Sequence, residues 1–228
     1  MRRVVVINPN SNQAVTDGMD AALAEFSADD VVIECVTLAE GPFGIESQAD
    51  IDAVIQPLRD YVANRADAAA FVIACYSDPG LNECRAATDK PVLGIQESAL
   101  RAAAAGGNNF GVIAILDASI PRHAKYMAQL GVLEALAGER AVNLSVAESA
   151  TGEGTFDRLM EIGSQLQTID HAEAIVLGCA GMAAHRAGLQ SRFGIPVIDP
   201  VQTAVGEALA LVQEQSPVPG TAAGGAIA

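Results

Sequence analysis

The chain alternates short apolar runs with longer segments of helical periodicity. The apolar runs are nearly continuous instead of alternating with polar residues, which is the pattern of strands covered on both faces. We predict eight such strands, over Val4–Ile7, Val31–Val36, Ala69–Ala74, Val92–Ile95, Phe110–Leu116, Val142–Val146, Ala174–Gly178 and Pro196–Ile198.

Helical patterns occupy most of the intervals between these runs. The first follows NPNSN, where Ser11 or Asn12 can cap a helix, and Ser77-Asp78-Pro79 also reads as a helix start. The longer predicted helices are Gln13–Phe26, Asp50–Asn64, Ser98–Ala105, Pro121–Leu136, Thr155–Asp170 and Val201–Gln215. Because β and α segments alternate over the whole length, the pattern predicts an α/β fold with mostly parallel sheets flanked by helices.

Two halves of the sequence resemble each other. The segments ADAAAFVIACYSDPG and DHAEAIVLGCAGMAA each end a strand in cysteine, and Cys75 and Cys179 are 104 residues apart. Downstream, KPVLGIQESAL resembles IPVIDPVQTAV, with Pro91 and Pro196 separated by 105 residues. This internal repeat predicts two pseudo-symmetric Rossmann-like lobes with an active site between them.

We assign residues 1–97 to lobe one and residues 98–204 to lobe two. The helix 201–215 is expected to pack back on lobe one. The segment 216–228, SPVPGTAAGGAIA from Ser216 onward, has no periodicity and is expected to be a loose tail.

The charge balance narrows the class of partner. The 228 residues carry a formal net charge of −15, with 13 Lys and Arg against 28 Asp and Glu. Nucleic acids and anionic membrane surfaces require a basic face, so neither is an expected partner. The apolar run at Val4–Ile7 is too short for a signal-peptide core, and we expect a cytoplasmic protein that acts on a small molecule.

The four cysteines lie at positions 35, 75, 84 and 179, without a CxxC pair or a Cys/His cluster at zinc spacing. No metal site is therefore predicted, and the thiols are expected to be free. Cys35 and Cys84 lie within an apolar run and a helical segment, which indicates structural roles.

Cys75 and Cys179 each follow a strand, at the sheet edge where α/β proteins bind ligands. If the lobes face each other, both thiols point into one cleft, the geometry of a racemase that needs no cofactor. One thiol removes the α-proton from one face of a carbon, and the other protonates the opposite face. A helix starting near Ser77 could lower the pKa of Cys75, and backbone amides near Gly181 could hold a substrate oxygen.

Purely structural roles can also explain why these residue types occur at these positions. A cysteine at a strand end is commonly a small apolar residue. The histidines His123, His171 and His185 are scattered, and we expect them at the surface or at helix caps. NPNSN is either a turn with a helix cap or part of a binding site, and AGGNNFG reads as a loop because it does not follow a strand.

With both cysteine motifs located, the sequence resembles the Asp/Glu/hydantoin racemase family, in its hydantoin and allantoin racemase branch. The resemblance covers about residues 3–212 and rests on INPNSN, GPFGIES, ACYSDPGL and LGCAGM, in that order. It implies a two-lobed homo-oligomer and cofactor-independent 1,1-proton transfer by Cys75 and Cys179. It also implies a set of residues lining the substrate: Asn8, Asn10, Ser11, Phe43, Gly44, Ser77, Asp78, Ala180 and Gly181.

Departures from the family pattern favour a cyclic ureide, a 5-substituted hydantoin or allantoin, as the substrate. Glutamate and aspartate racemases typically have Cys-Asn-Thr and Cys-Thr-His, where this chain has Cys75-Tyr76-Ser77 and Cys179-Ala180-Gly181. Tyr76 replaces an expected Phe, and Leu116-Asp117-Ala118-Ser119 replaces a Thr-rich turn. The α-hydrogen of a hydantoin needs less electrostatic help than that of an amino acid, and the four motifs contain no Arg or Lys.

Other functions are compatible with the same pattern. Within the superfamily they are an amino-acid racemase, a maleate isomerase and an arylmalonate decarboxylase. The decarboxylase needs one cysteine only, which counts against it. A small-ligand binding protein on this scaffold, without turnover, is the alternative outside enzymes.

Overall fold

A computed structural model describes residues 1–26, 30–107 and 109–214, and places eight strands in two parallel sheets. The first sheet has the order β2-β1-β3-β4 and the second has the order β6-β5-β7-β8, so the second repeats the first. The predicted α/β fold of two similar lobes is therefore confirmed. The strands are β1 (Arg2–Asn8), β2 (Val31–Thr37), β3 (Ala70–Ile73), β4 (Val92–Gly94), β5 (Phe110–Ala114), β6 (Leu136–Ala141), β7 (Ala174–Gly178) and β8 (Val197–Ile198).

The central strands are buried on both faces because helices cover both sides of each sheet. All residues of β3, β5 and β7 are buried, as their continuous apolar sequences predict. The helices are α1 (Gln13–Leu23), α2 (Gln48–Ala63), α3 (Leu81–Ala86), α4 (Ile95–Ala105), α5 (Ile120–Leu130), α6 (Val146–Thr151), α7 (Thr155–Thr168), α8 (Arg186–Phe193) and α9 (Pro200–Glu214).

Two helices cross between the lobes. Helix α4 follows β4 of the first sheet, but its Leu100 and Ala103 pack with Phe110 and Val176 of the second sheet. Helix α9 follows β8 of the second sheet and lies against β1 and β3 of the first. The two helices also pack on each other. The lobe boundaries at residues 97 and 204 stay predictions.

The predicted sixth strand at Val142–Val146 is wrong. The strand is β6, Leu136–Ala141, and Val146 instead begins α6. Strand β6 is an edge strand that pairs only with β5, so it is half-exposed and carries Glu139 and Arg140 in place of a continuous apolar run. Val142 and Val146 are buried in the core, and the N–H of Val142 still donates to Ala114 at the end of β5.

The helix predicted at Pro121–Leu136 ends early, at Leu130. Gly131 follows with a φ of 72°, the left-handed conformation that ends helices at glycine. The other long helices match their predicted segments to within three residues at each end, except that the last turn of the first is a 3₁₀ segment, Ala24–Phe26. Gln215 and the predicted tail 216–228 lie outside the described residues.

Ser77-Asp78-Pro79 does not start the next helix, as the sequence predicted. Helix α3 begins at Leu81, after Gly80. The carboxylate of Asp78 accepts the backbone N–H groups of Gln96 and Glu97 instead, at 2.9 and 2.7 Å. These donors belong to the first turn of α4, so Asp78 caps the crossing helix from another loop.

Gly94 makes this cap possible. It precedes α4 and offers no side chain to cap the helix. A Cβ at this position would lie 2.3 Å from the Cγ atom of Asp78. The helix therefore depends on a carboxylate that reaches it through the space that Gly94 leaves free.

We predict that Asp78→Asn lowers the free energy of unfolding by about 1–3 kcal/mol, because one N–H of α4 would face an amide NH₂ group that cannot accept it. Chemical denaturation monitored by circular dichroism measures the change. Asp52→Asn is the matched control, since Asp52 lies exposed on α2 and accepts only from Gln48. Equal losses in both variants would contradict the capping role.

Candidate functional site

A cleft lies between the carboxyl ends of β3 and β7, which are equivalent strands of the two sheets. Cys75 and Cys179 both line it, as the repeat predicted. The volume between the lining residues is about 520 Å³, and this figure includes solvent at the open mouth. The cleft lining consists of Asn10, Val15, Ile45, Glu46, Ala74, Cys75, Tyr76, Ser77, Ile115, Leu116, Ser119, Arg122, His123, Val146, Gly178, Cys179 and Ala180.

Cys75 follows the end of β3 by two residues, and it is half-buried. Burial raises the pKa of its thiol above the ordinary range, and the nearby sulfur of Cys179 and the carboxylate of Asp78 raise it further. The guanidinium of Arg122 and the backbone N–H of Ser77 oppose this change. The expected lowering by a following helix is absent, because α3 starts only at Leu81.

Cys179 follows β7 and caps the 3₁₀ turn Ala180–His185. Its Sγ atom accepts the N–H of Gly181 at 3.4 Å and lies 3.7 Å from the Oγ atom of Ser149. Burial raises the pKa of this thiol as well, whereas these two hydrogen bonds favour the thiolate. The two cysteines thus have equivalent positions but different neighbours.

The first loop contributes one residue to the cleft lining. Asn10 lines the cleft, while Asn8 is fully buried behind it and donates to the Oδ1 atom of Asn10 at 2.9 Å. Ser11 lies outside the lining, and its N–H donates to Pro42. Asn12 caps α1 by accepting the N–H of Ala14. NPNSN therefore both caps a helix, through Asn12, and lines the cleft, through Asn10.

The segment GPFGIES reaches across the cleft. The Oε1 atom of Glu46 accepts the N–H of Val146, the first residue of α6 in the second lobe, at 2.9 Å. Ile45 and Glu46 line the cleft, but Gly44 packs behind them against Val146. The side chain of Phe43 is 63% exposed and lies outside the lining.

Of the remaining predicted site residues, two line the cleft and two lie behind its lining. Ser77 and Ala180 line the cleft. Asp78 and Gly181 lie behind the lining, where Asp78 caps α4 and Gly181 donates to Cys179. Burial raises the pKa of Asp78 to about 7, although the backbone N–H groups of α4 favour its carboxylate.

Arg122 lies outside the sequence motifs, and the prediction from the sequence for His123 is a position at the surface or at a helix cap. The prediction for His123 is wrong, since this residue is 3% exposed and lines the cleft next to Arg122. The available signal was the spacing of His123 and Met127, four residues apart and both on the buried face of α5. The four cleft motifs contain no cation, but tertiary packing supplies one from a separate helix.

Within residues 1–26, 30–107 and 109–214, no group of His, Cys, Asp and Glu could hold a metal ion. Over the same part of the chain, every helix is too short or too polar to cross a bilayer.

Comparison with known proteins agrees with this architecture. The sequence model of the family described as Asp/Glu/Hydantoin racemase matches residues 4–208. The chain is 34% identical to a hydantoin racemase of Paenarthrobacter aurescens over 223 residues, which cover 92% of this chain and 91% of that protein. It is 35% identical to a hydantoin racemase of Pseudomonas sp. (strain NS671) over 208 residues, with coverages of 89% and 83%.

Among solved structures, the allantoin racemase from Klebsiella pneumoniae superposes with a TM-score of 0.89 at 28% identity, over 94% of this chain and 89% of that one. The racemase names of these relatives, together with the match over nearly the whole chain, support an isomerase that acts as a racemase. The chain belongs to the Asp/Glu/hydantoin racemase family.

Proposed function

We propose that this protein racemises a cyclic ureide, a 5-substituted hydantoin or allantoin, by 1,1-proton transfer between Cys75 and Cys179 without a cofactor. The observation that carries the proposal is the position of the two thiols, at equivalent strand ends of the two lobes and in one cleft. The thiolate of one cysteine takes the proton on C5, which leaves an enolate. The thiol of the other cysteine then protonates the opposite face of that carbon.

The coupling between the thiols supports this mechanism. Because ionisation of Cys179 raises the pKa of Cys75, the pair resists losing both protons. The form with one thiolate and one thiol is the form that a two-base racemase needs. Either cysteine can hold the thiolate, so each enantiomer finds a base on the side of its hydrogen.

The cleft suits a small ring that has no net charge. Its walls combine apolar side chains, such as Val15, Ile115 and Val146, with a few hydrogen-bonding groups. The ring carbonyl of a hydantoin delocalises the carbanion, so the site needs little additional charge. The related proteins named above are hydantoin and allantoin racemases, which supports the same substrate class.

Among the predicted substrate contacts, we propose direct roles for Asn10, Ser77 and Ala180, which line the cleft. The cytoplasmic location and the homo-oligomeric state stay predictions from the sequence.

Incubation with an enantiopure 5-alkylhydantoin tests the function. We expect the circular dichroism of the substrate to decay to zero in the presence of the purified protein, faster than in buffer alone. Allantoin and several ring substituents should be tried in parallel. A signal that persists for every ureide would contradict the proposed activity.

Single cysteine variants test the mechanism. Cys75→Ser and Cys179→Ser should each lower the racemisation rate by about 100-fold or more, because each removes one acid–base group. In deuterium oxide, each variant should still exchange the α-hydrogen of one enantiomer, and the two variants should prefer opposite enantiomers. Proton NMR of the recovered substrate measures this exchange.

Cys35→Ser is the matched control, since Cys35 is half-buried on β2 and lies outside the cleft. It should retain the racemisation rate of the wild type. Exchange of both enantiomers by one of the cleft variants would rule out the two-base assignment.

The pH dependence follows from burial of the thiols. Because burial raises the pKa of both thiols, most molecules hold both protons at neutral pH, and kcat/KM should rise as pH increases above 7.

The variant Ser149→Ala removes a group that favours the Cys179 thiolate, so it should move this rise of kcat/KM to higher pH. Ser164→Ala on α7 is the control, and a profile that falls above pH 7 would disagree with thiolate catalysis.

A further inference from the structure

We infer that Arg122 and His123 form a specificity-determining anchor for the substrate, in which Arg122 donates to a ring carbonyl and His123 accepts a ring N–H. This inference rests on the proposed function and specifies how the cleft recognises a ureide. The two residues are neighbours in the first turn of α5, and both line the cleft beside Cys75 and Tyr76.

Arg122 has more N–H donors than its contacts among the described residues satisfy. Its Nη2 atom makes one long hydrogen bond, 3.4 Å, to the Oγ atom of Ser77. Its Nε atom is buried and has no partner among the described residues. The guanidinium also favours the thiolate of Cys75, so it lies close enough to that sulfur for their charges to interact. The remaining N–H groups of the guanidinium can donate to a carbonyl oxygen of a ligand beside Cys75.

His123 is held in one orientation by Glu139 and Tyr76. Its Nδ1 atom lies 2.6 Å from the Oε1 atom of Glu139, a strand residue of β6, and both side chains are at most 3% exposed. The Tyr76 ring meets the imidazole edge-on, with centroids 5.2 Å apart. A carboxylate can only accept, so the Nδ1 atom carries a hydrogen, and in the neutral tautomer that this allows, the Nε2 atom offers a lone pair.

The anchor is backed by polar atoms that other contacts leave unsatisfied. The Oη atom of Tyr76, the Nε atom of Arg122 and the Oε2 atom of Glu139 are all buried without a partner among the described residues. Among the described residues, the Nε2 atom of His123 also makes no hydrogen bond. Buried polar atoms of this kind are costly to leave unpaired, and the first three of these atoms lie too deep for a ligand in the cleft to reach them directly.

A cyclic ureide matches this pair of groups. Its ring carries an N–H donor beside a C=O acceptor, and His123 and Arg122 bring an acceptor and a donor to the same cleft. A carboxylate substrate has two acceptors and no such donor, so it would leave the Nε2 atom of His123 unpaired. The anchor therefore distinguishes ureides from dicarboxylates.

The first arm of the test removes the acceptor. Binding of hydantoin, 1-methylhydantoin and 3-methylhydantoin is measured by isothermal titration calorimetry. In the wild type, at least one methyl derivative should bind about tenfold more weakly than hydantoin, because its N–H is lost. In His123→Phe combined with Glu139→Leu, which leaves no buried charge unpaired, this penalty should disappear.

The second arm removes the donor. The thiocarbonyl of 2-thiohydantoin or 4-thiohydantoin is a weaker acceptor than a carbonyl, so the wild type should bind at least one of them about tenfold more weakly than hydantoin. Arg122→Met keeps the aliphatic stem but should abolish this preference. His171→Asn and Arg59→Gln, both at exposed positions, are the controls and should retain both penalties.

Thermal unfolding shows whether each variant is folded, and Glu139→Gln alone provides a milder change. Its side-chain amide lets the imidazole take either tautomer, so the methylation penalty should shrink in this variant too. Penalties that are absent in the wild type, or that persist in folded variants of both residues, would overturn the anchor. If the penalties behave as expected but the wild type racemises no ureide, the anchor stands and the proposed function is wrong.

Discussion

The packing of α4 against α9 holds the two lobes in the relation on which the cleft depends. Each helix leaves the fourth strand of its own sheet and buries its apolar face on the other lobe. The Oγ atom of Ser98 on α4 donates to Glu207 on α9 at 2.7 Å, which adds a polar contact to this packing. Because the strands within each sheet are parallel, their carboxyl ends lie at one edge of that sheet, and Cys75 and Cys179, which follow these ends, line one cleft.

Helices α4 and α9 occupy equivalent places in the two lobes, but carboxylates from different positions cap them. In the second lobe, Asp199 directly precedes α9 and accepts the N–H of Gln202 at 2.8 Å. In the first lobe the equivalent position is Gly94, and Asp78 supplies the carboxylate from the loop after β3. That loop is also the one that carries Cys75. The crossing helix and the loop that carries Cys75 are thereby joined.

The same asymmetry extends to the surroundings of the thiols. Arg122 and the N–H of Ser77 favour a thiolate at Cys75, whereas Gly181 and Ser149 favour one at Cys179. Burial opposes ionisation at both positions, as do the carboxylates of Asp78 near Cys75 and of Asp199 and Glu46 near Cys179. Backbone pseudo-symmetry brings two cysteines to one cleft, and the side chains around them give the two thiols unequal surroundings.

The sequence by itself determined the α/β fold, the repeat and the two cysteines at strand ends, because continuous apolar runs and a 104-residue spacing are local patterns. It misassigned β6, since a half-exposed edge strand lacks such a run. Only the tertiary structure decided that Asp78 caps α4 and that His123 and Glu139 form a buried pair. Those contacts join residues 16 to 19 positions apart on different elements, so their partners depend on how the elements pack and no local pattern could identify them.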